Sequence, residues 1–381
     1  MELSSEDMLR LNVLLANAQA IRIDEQNMIV FGLAEDKEQK IKLNPNCRAD
    51  QYLNLVRDML STTVLGSPRS YPIYIRRWAR MGQINNAPLE KLLLLGEPEA
   101  ILAVASSKQL TDEFARRAWW ASPTPEIARR MLTDPRVVQG AMGKILADYL
   151  VEFLPFETEP LDILETVQLI LQPGLTDEAT RERIWAAGKR RKAYRIGFLE
   201  MRCDDLPQSV TQRADTQLYR ELLNSRIEAG SSIAVLAGKV LSAAGQTFLD
   251  ACKDILQRPS NQDEVSAVLN AMGKYFASLR FIQHEVRDME WLQQYIRSCC
   301  EQPKTLDENV EDILSVAPEL MRDIEALLVL AHIDEAVVTP VFAQTDAVGS
   351  VMRNKIEPVI RPVMNYLTEL STPKNQSSDT R

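Results

Sequence analysis

A close succession of helix-start signals after residue 66 is the feature that most restricts the fold of this chain. Proline is favoured at the first position of a helix, because its missing N–H would have no partner there in any case. Four prolines fit that position: Pro98, Pro125, Pro135 and Pro160. The pattern predicts a series of short α-helices rather than a sheet.

One stretch of this helical region occurs twice. LTDEFARRAWW at residues 110–120 matches LTDEATRERIW at residues 175–185 in six of eleven positions. Threonine is a good N-cap, and the acidic pair after it favours the positive end of the helix dipole. Each copy follows a shorter proline-started helix, at Pro98 and at Pro160. The spacing predicts helical hairpins stacked as irregular HEAT- or armadillo-like repeats.

Before this region, residues 20–43 change from helical to strand periodicity. The β-prone runs AIRID, MIVFGL and QKIKL are separated by the turn-like segments EQN and AEDKE. Three short strands need a covering layer to be stable, and residues 9–15 and 51–60 have helical patterns that can supply it. We predict a small α+β unit with a β-meander at residues 1–66.

The predicted fold class is therefore mainly α, an α-solenoid-like stack of helical hairpins with a small N-terminal β-meander. At 381 residues the chain exceeds the usual size of a single core. We place helical-hairpin repeats at residues 67–210, a C-terminal helical region at 211–370, and a polar, disordered tail at 371–381. The helices predicted after residue 210 span 216–229, 231–241, 244–256, 262–279, 282–300, 306–314, 318–332 and 356–370.

A single long helix is also predicted at residues 135–154. Its apolar residues recur at intervals of three and four, as expected for one face of a helix: Val138, Met142, Ile145, Tyr149 and Phe153.

Composition and missing motifs restrict the function. The net charge is −9 and the pI about 5.1, which argues against nucleic-acid binding over the whole surface. Five cysteines form no disulfide framework, and two histidines without a CxxC pair supply a metal site poorly. No apolar run approaches the roughly 20 residues of a membrane span, and the N-terminus lacks a signal-peptide pattern. We expect a cytoplasmic protein without membrane insertion, metal or cofactor.

No catalytic template is present in the sequence. GxSxG, GxxxxGK[ST], HExxH and a GxGxxG after a strand are all missing. The 53 acidic residues leave a paired-carboxylate site open without pointing to one. We therefore predict a non-enzymatic protein.

The first candidate partner-binding cluster lies in the repeated stretch. On a helical wheel, Trp120 falls opposite the apolar face and between Arg116 and Arg117, so a guanidinium can stack on the indole. Trp185 has the matching position in the second copy. Trp120 is either an aromatic platform for a base, cofactor ring or peptide, or a side chain packed against the following hairpin. Packing is the favoured interpretation.

Two further clusters combine basic and aromatic residues. The segment YPIYIRRWARM contains Arg76, Arg77 and Trp78, which suit an anion clamp or salt bridges to a neighbouring repeat. The most basic run consists of Lys189, Arg190, Arg191 and Lys192. Such a run attracts phosphate backbones or acidic partners, or else it is a solvated surface.

The adjacent Cys299 and Cys300 form a possible redox or sulfur-accepting pair, since a thiolate is the competent nucleophile. The apolar stripe Leu292, Tyr295, Ile296 and Cys299 predicts that at least one of the two thiols is buried.

Long strings of this sequence resemble the DsrS-type proteins, which are accessory proteins of the dissimilatory sulfur-metabolism (dsr) system in sulfur-oxidising bacteria. The resemblance covers most of residues 1–280. It rests on LSSEDMLRLNVLLANAQAIRIDE, LNPNCRADQYL, GSPRSYPIYIRRWARMGQ, LLLLGEPEA, RRAWWASPTPEIARRML, LVEFLPFETEP and LQPGL. It implies a cytoplasmic protein that works beside the reverse-acting sulfite reductase pathway, in its expression or assembly, and it implies no catalytic residues.

Three hypotheses follow from the sequence. The leading one is a non-catalytic accessory protein of sulfur oxidation that binds a protein partner through a helical repeat surface. The second is an RNA-binding post-transcriptional regulator that uses the local basic run, and the third is a sulfur-handling protein that uses Cys299 or Cys300.

Overall fold

The computed structural model describes residues 3–35, 37–66, 89–301, 310–311, 313–314 and 317–373. The described chain is mainly α-helical, with a small three-stranded antiparallel sheet near the N-terminus, which confirms this level of the prediction. Contacts between residues divide the chain into two compact units. The first comprises residues 1–157 and 172–176, and the second comprises 158–171 and 177–381. The four-part division at 66, 210 and 370 stays a prediction.

The sheet and two helices form the N-terminal part of the first unit. They are α1 (Ser5–Asn17), β1 (Ala20–Asp24), β2 (Ile29–Ala34), β3 (Lys37–Lys42) and α2 (Ala49–Leu65). The strand order is β1-β2-β3, with Val30 paired to Ile23 on one side and to Ile41 on the other. A Cβ at Gly32 would lie 2.7 Å from Leu14, so this glycine lets α1 approach the sheet closely.

A buried polar link also ties α1 to α2. The hydroxyl of Tyr52 donates to Oδ2 of Asp7 at 2.6 Å, and the backbone N–H of Asn44 donates to the same oxygen at 2.8 Å. Burial raises the pKa of the Tyr52 hydroxyl. These bonds offset part of the cost of burying the Asp7 carboxylate, because they satisfy its Oδ2 atom.

Short helices follow the sheet in the first unit. They are α3 (Leu89–Leu93), α4 (Pro98–Ala105), α5 (Asp112–Ala121), α6 (Pro125–Leu132), α7 (Pro135–Val138) and α8 (Ala141–Phe153), followed by a 3-10 turn at Leu154–Phe156. Each predicted proline start is confirmed, because a proline stands in the first turn of α4, α6 and α7. The cap prediction also holds for α5, where the Thr111 hydroxyl accepts from the N–H of Phe114 at 3.3 Å.

The single helix predicted at residues 135–154 is wrong, because a break at Gly140 separates α7 from α8. Gly140 has an extended backbone, and the carboxylate of Asp112 accepts from the N–H groups of Ala141 and Met142 at 3.2 and 3.0 Å. A Cβ on Gly140 would lie 2.2 Å from Oδ1 of Asp112. A distant carboxylate therefore caps α8, and only glycine leaves room for it.

The second unit is built from helices. They are α9 (Pro160–Ile170), α10 (Glu178–Ala187), α11 (Lys192–Met201), α12 (Thr216–Glu228), α13 (Ser232–Leu241), α14 (Ala243–Gln257), α15 (Gln262–Tyr275), α16 (Met289–Glu301), α17 (Met321–Ala331), α18 (Thr339–Phe342) and α19 (Gly349–Ser371), with short 3-10 turns at Ala277–Leu279, Pro318–Leu320 and Glu335–Val337. The helix start at Pro160 is confirmed. In the second copy of the repeated stretch, Asp177 rather than Thr176 caps the helix.

Three predicted helices of this unit have different bounds. The helix predicted at 262–279 ends as an α-helix at Tyr275, and the one predicted at 282–300 begins only at Met289. Helix α19 begins earlier than predicted and continues through two prolines, because its buried apolar face outweighs the backbone hydrogen bonds they remove. The helix predicted at 306–314 and the tail lie mostly outside the described residues.

An ion triad lies inside the second unit. Nε of Arg213 donates to Asp215 at 2.7 Å, and an Nη atom donates to Asp323 at 2.6 Å. The Arg213 side chain is 0% exposed, and the two carboxylates are 1% and 5% exposed. The triad joins segments that lie 110 residues apart in the chain.

Among the described residues, no single helix has the length and apolar composition of a membrane span. Helices α13 and α14 meet that requirement only when they are counted as one segment, and they are bent by 75° where they join.

Candidate functional site

Trp120, the first candidate partner-binding residue, packs against the β-sheet of its own unit. Its indole Nε1 donates to Oε2 of Glu38 at 3.1 Å, and the guanidinium of Arg22 lies 5.1 Å from the ring centre. Arg22 and Glu38 are themselves paired at 3.1 Å. Strands β1 and β3 therefore supply these partners of Trp120, which were not predicted from the sequence, and the predicted contact with the following hairpin stays a prediction.

Arg116 and Arg117 do not stack on Trp120 as predicted. Both guanidinium groups donate to the carboxylate of Glu113, at 2.8–2.9 Å and 2.7 Å. The hydrogen bond from Arg116, supported by Arg117, lowers the pKa of Glu113 to about 2. These two cations are already engaged with a carboxylate of their own helix.

Trp185, the matching residue of the second copy, is buried. Its Nε1 donates to Gln208 at 3.4 Å, the guanidinium of Arg195 lies 4.8 Å from its ring centre, and Phe198 packs edge-on at 5.4 Å. Both matched tryptophans thus contact an arginine from another element. Neither serves as an open aromatic platform.

The basic run at 189–192 is divided between internal pairing and solvent. The ammonium of Lys192 contacts the carboxylate of Asp254 and donates to its backbone oxygen at 3.0 Å, and Arg191 donates to the hydroxyl of Tyr194 at 3.3 Å. Lys189 and Arg190 are exposed, and neither side chain has an ion-pair partner in the part of the chain that the structure describes.

Lys189 also borders an open cleft of about 620 Å³ in the second unit. Its walls carry charges of both signs, contributed by Lys189, Arg195, Lys253, Asp250 and Asp254. Of the four cations in the basic run, only Lys189 and Arg190 are exposed and without an ion-pair partner among the described residues.

The two adjacent cysteines of α16 differ in burial: Cys300 is buried and Cys299 is half-buried. The buried face of this helix consists of Met289, Leu292, Ile296 and Cys300. At least one thiol is buried, as predicted. The predicted stripe is wrong at Tyr295 and Cys299, which do not belong to the buried face; Met289 and Cys300 do. Burial raises the pKa of the Cys300 thiol to about 12, which leaves little thiolate at neutral pH. Within the described ranges, no three His, Cys, Asp or Glu side chains form a metal-binding group.

A row of apolar side chains on α8 and on the 3-10 turn after it was not recognised from the sequence; its two ends are exposed, and its two central rings are half-buried. Ile145, Tyr149, Phe153 and Phe156 follow one another at intervals of four, four and three, and we name them the aromatic stripe. Ile145 is 49% exposed and Phe156 75% exposed. Ring centres along the row are 6.2 Å apart between Tyr149 and Phe153 and 6.3 Å apart between Phe153 and Phe156.

The aromatic stripe lies beside the face that α8 buries. That face consists of Met142, Leu146 and Leu150 together with small residues. Trp119 of α5 packs edge-on against Tyr149, the second residue of the stripe, with ring centres 4.7 Å apart. The sequence contained a signal for this surface, because α8 has more apolar positions than a single core face can use.

A second exposed aromatic group lies in the second unit. Trp291 and Tyr295 stack in parallel on α16 with ring centres 5.1 Å apart, and each is 40% exposed. His284 lies 5.8 Å from Trp291, and Phe281 lies 6.4 Å from Tyr295. We name these four residues the aromatic platform.

The remaining candidates, Arg76, Arg77 and Trp78, lie outside the described residues. Their predicted role as a partner-binding cluster stays a prediction.

Comparison of this chain with protein-family models, with curated proteins and with solved structures finds no match. The local geometry is therefore the basis on which a function can be argued.

Proposed function

We propose that this chain is a non-catalytic accessory protein that works by binding another protein through the aromatic stripe of α8. The observation that carries the proposal is a continuous row of large apolar side chains whose two ends, Ile145 and Phe156, are exposed and whose two central rings are half-buried. Contiguous apolar patches of this kind are typical of interaction sites, and aromatic residues dominate the binding energy of protein interfaces.

The shape and charge of the stripe favour a particular kind of partner. Ile145 and Phe156 are eleven residue steps apart, which at helical rise is about 16 Å and matches three turns of an amphipathic helix. Asp148 and Glu152 lie along one edge, with Lys144 paired to Asp148 at 3.6 Å. With Lys144 on the same edge, the edge keeps a net negative charge. A partner helix with a basic flank therefore fits this edge.

The biological setting is part of the same proposal. The resemblance to DsrS-type proteins supports a cytoplasmic role beside the sulfite reductase pathway of sulfur oxidation, in its expression or assembly. The succession of short helices supports a surface of stacked hairpins as the wider contact area, because each helix of such a stack leaves one face open.

A comparative pull-down tests the proposal. Bait protein with the native sequence and with Phe156→Asp is incubated with extract from sulfide-grown sulfur-oxidising cells, and bound proteins are quantified by mass spectrometry. We expect a pathway component to be captured by the native bait and reduced about tenfold or more with Phe156→Asp. Leu9→Asp is the matched control, since Leu9 is an exposed apolar residue of the same unit outside the stripe.

Two results would contradict the proposal. One is the recovery of no pathway component above background, and the other is equal capture by both variants and the native bait. Circular dichroism and thermal unfolding must show that Phe156→Asp is folded, which we expect because the side chain is exposed.

RNA binding through the basic run is the second candidate function, and the exposure of Lys189 and Arg190 favours it. These two cations would release about two counterions from an RNA backbone. We expect Lys189→Gln with Arg190→Gln to reduce the salt dependence of RNA affinity by about two in the log–log slope. Lys37→Gln with Lys40→Gln, on exposed residues of β3, is the charge-matched control. RNA affinity that is the same in both double variants would remove this function from the run.

A further inference from the structure

His332 follows α17 and binds a segment that lies 50 residues earlier in the chain. Its Nε2 accepts from the backbone N–H groups of Phe281 and Ile282, both at 3.0 Å. Its Nδ1 lies 2.7 Å from the backbone oxygen of Leu328. The imidazole is buried, and its ring packs edge-on against the Phe281 ring at 4.6 Å.

These contacts determine the protonation state of the ring. A carbonyl oxygen can only accept, so Nδ1 carries the proton and donates to Leu328. Nε2 faces two N–H donors, so it must present its lone pair. Both requirements are met only by the neutral tautomer with hydrogen on Nδ1.

The segment held in this way connects the 3-10 turn Ala277–Leu279 to α16. It has no helical hydrogen bonds of its own between residues 280 and 288, because Phe281 and Ile282 donate to His332 and the Asp288 carboxylate caps α16. The segment carries Phe281 and His284, which are half of the aromatic platform. Its position therefore decides whether the platform is complete.

We propose that His332 is an acid-sensitive clamp, and that its protonation releases segment 280–288 and thereby dismantles the aromatic platform. A proton on Nε2 would point at two N–H groups only 3.0 Å away, so the charged ring cannot keep either bond. Mild acid would thus convert a folded aromatic surface into a loosened segment, without a change in the helices beneath it.

The charged surroundings of the clamp support this behaviour. Arg280, His284, Glu285 and Asp334 line the same cavity of about 350 Å³ as His332. Arg280 donates to the backbone oxygen of Ala331 at 2.9 Å and pairs with Asp334 at 3.3 Å. Helix α15 faces the guanidinium with Gly273, whose absent side chain leaves room for it. Burial is the main cause that lowers the pKa of His332, and the nearby Arg280 charge acts in the same direction.

The direction of the pH effect follows from linkage. The held segment favours neutral His332, whereas a released His332 regains its ordinary pKa near 6.5. Between that value and the lower pKa of the clamped state, release takes up one proton and its equilibrium constant rises up to tenfold per pH unit as the pH falls. Above about pH 7 the release equilibrium no longer depends on the titration of His332.

Histidine NMR combined with hydrogen exchange tests the clamp on the full chain. Because the sequence has only two histidines, the single variant His284→Gln assigns the ring C–H signals of His332. We expect peptides that cover residues 280–286 to lose protection up to tenfold per pH unit from about pH 6.5 downward, after correction for intrinsic exchange. In His332→Gln, whose amide oxygen can accept but not titrate, the same peptides should show no pH-dependent loss.

Three results would overturn the proposal. They are an unchanged protection of residues 280–286 while His332 titrates in the native protein, an equal acid-induced loss in His332→Gln, and a loss that affects α16 to the same extent. The first needs no substitution at His332, so the clamp stays testable even if His332→Gln fails to fold.

Discussion

Replacing Arg213 by methionine should strongly destabilise the second unit. Methionine has nearly the length of the arginine stem but none of its donors. The substitution removes the hydrogen bonds to Asp215 and Asp323 at 2.7 and 2.6 Å and leaves two almost fully buried carboxylates without their cation.

The magnitude follows from these contacts. A hydrogen bond to a charged group contributes about 1.5–3 kcal/mol, so the loss of two suggests about 3–6 kcal/mol. Measurements on other buried pairs, in which one partner is removed, give about 3–5 kcal/mol, and the two ranges agree. That loss is a large part of the roughly 5–15 kcal/mol that stabilises a typical protein.

Urea unfolding followed by circular dichroism measures the effect. With an m-value near 3 kcal/mol per molar, the midpoint of the unfolding transition should fall by about 1–2 M. Arg361→Met is the matched control, because Arg361 is exposed and pairs with Glu357 one helical turn away. An exposed pair of this type contributes about 0.3–0.5 kcal/mol, so its midpoint should hardly move.

A triple variant separates the buried charge from simple loss of packing. Asp323 borders an apolar cavity with Leu223, Ile233 and Leu327, so leucine suits its position. Arg213→Met with Asp215→Leu and Asp323→Leu should recover most of the lost stability, because no charge is left buried. A loss below about 1 kcal/mol in the single variant, or a triple variant less stable than the single one, would refute this reasoning.

Three further predictions concern the first unit and the cysteines. The Glu113 carboxyl should titrate near pH 2 by NMR and return toward 4.5 in Arg116→Gln with Arg117→Gln; an unchanged titration would show that the arginines are not the cause. Gly140→Ala should lower the free energy of unfolding by about 1–3 kcal/mol, measured by thermal or urea unfolding, because the new Cβ would displace the Asp112 cap. Gly238→Ala, inside α13, is the control and should raise the free energy of unfolding by up to about 1 kcal/mol. Equal effects of the two substitutions would argue against the cap. Iodoacetamide at pH 8 should leave Cys300 unmodified in the folded protein, and after persulfide loading an adduct on Cys300 rather than Cys299 would contradict its burial.

The sequence predicted the features of this fold that depend on neighbouring residues. Thr111 caps α5 and Thr124 caps α6, each by accepting an N–H three residues later. Proline stands at the start of α4 and α9 for an equally local reason. The three strands pair in the predicted order, since alternation of side chains and short turns leave an antiparallel meander as the simple solution.

The candidate site was harder to predict, because it depends on contacts between distant residues. The helical wheel correctly separated Trp120 from the apolar face of α5, but Arg22 and Glu38, its actual partners, lie more than eighty residues earlier in the chain. The four-residue basic run concealed an internal pair, since Asp254 reaches Lys192 from another helix.

By itself, the sequence determined where most of the helices begin and that the N-terminal segment forms a meander. Capping, proline geometry and side-chain periodicity act within about four residues, so these signals can be read directly from the chain. Only the tertiary structure decided that Leu146 and Leu150 are buried while Ile145 and Phe156 are exposed, and that His332 accepts two backbone donors from residues 281 and 282. Burial and pairing depend on which distant segments meet, and the free energy of those contacts appears only when the chain is folded.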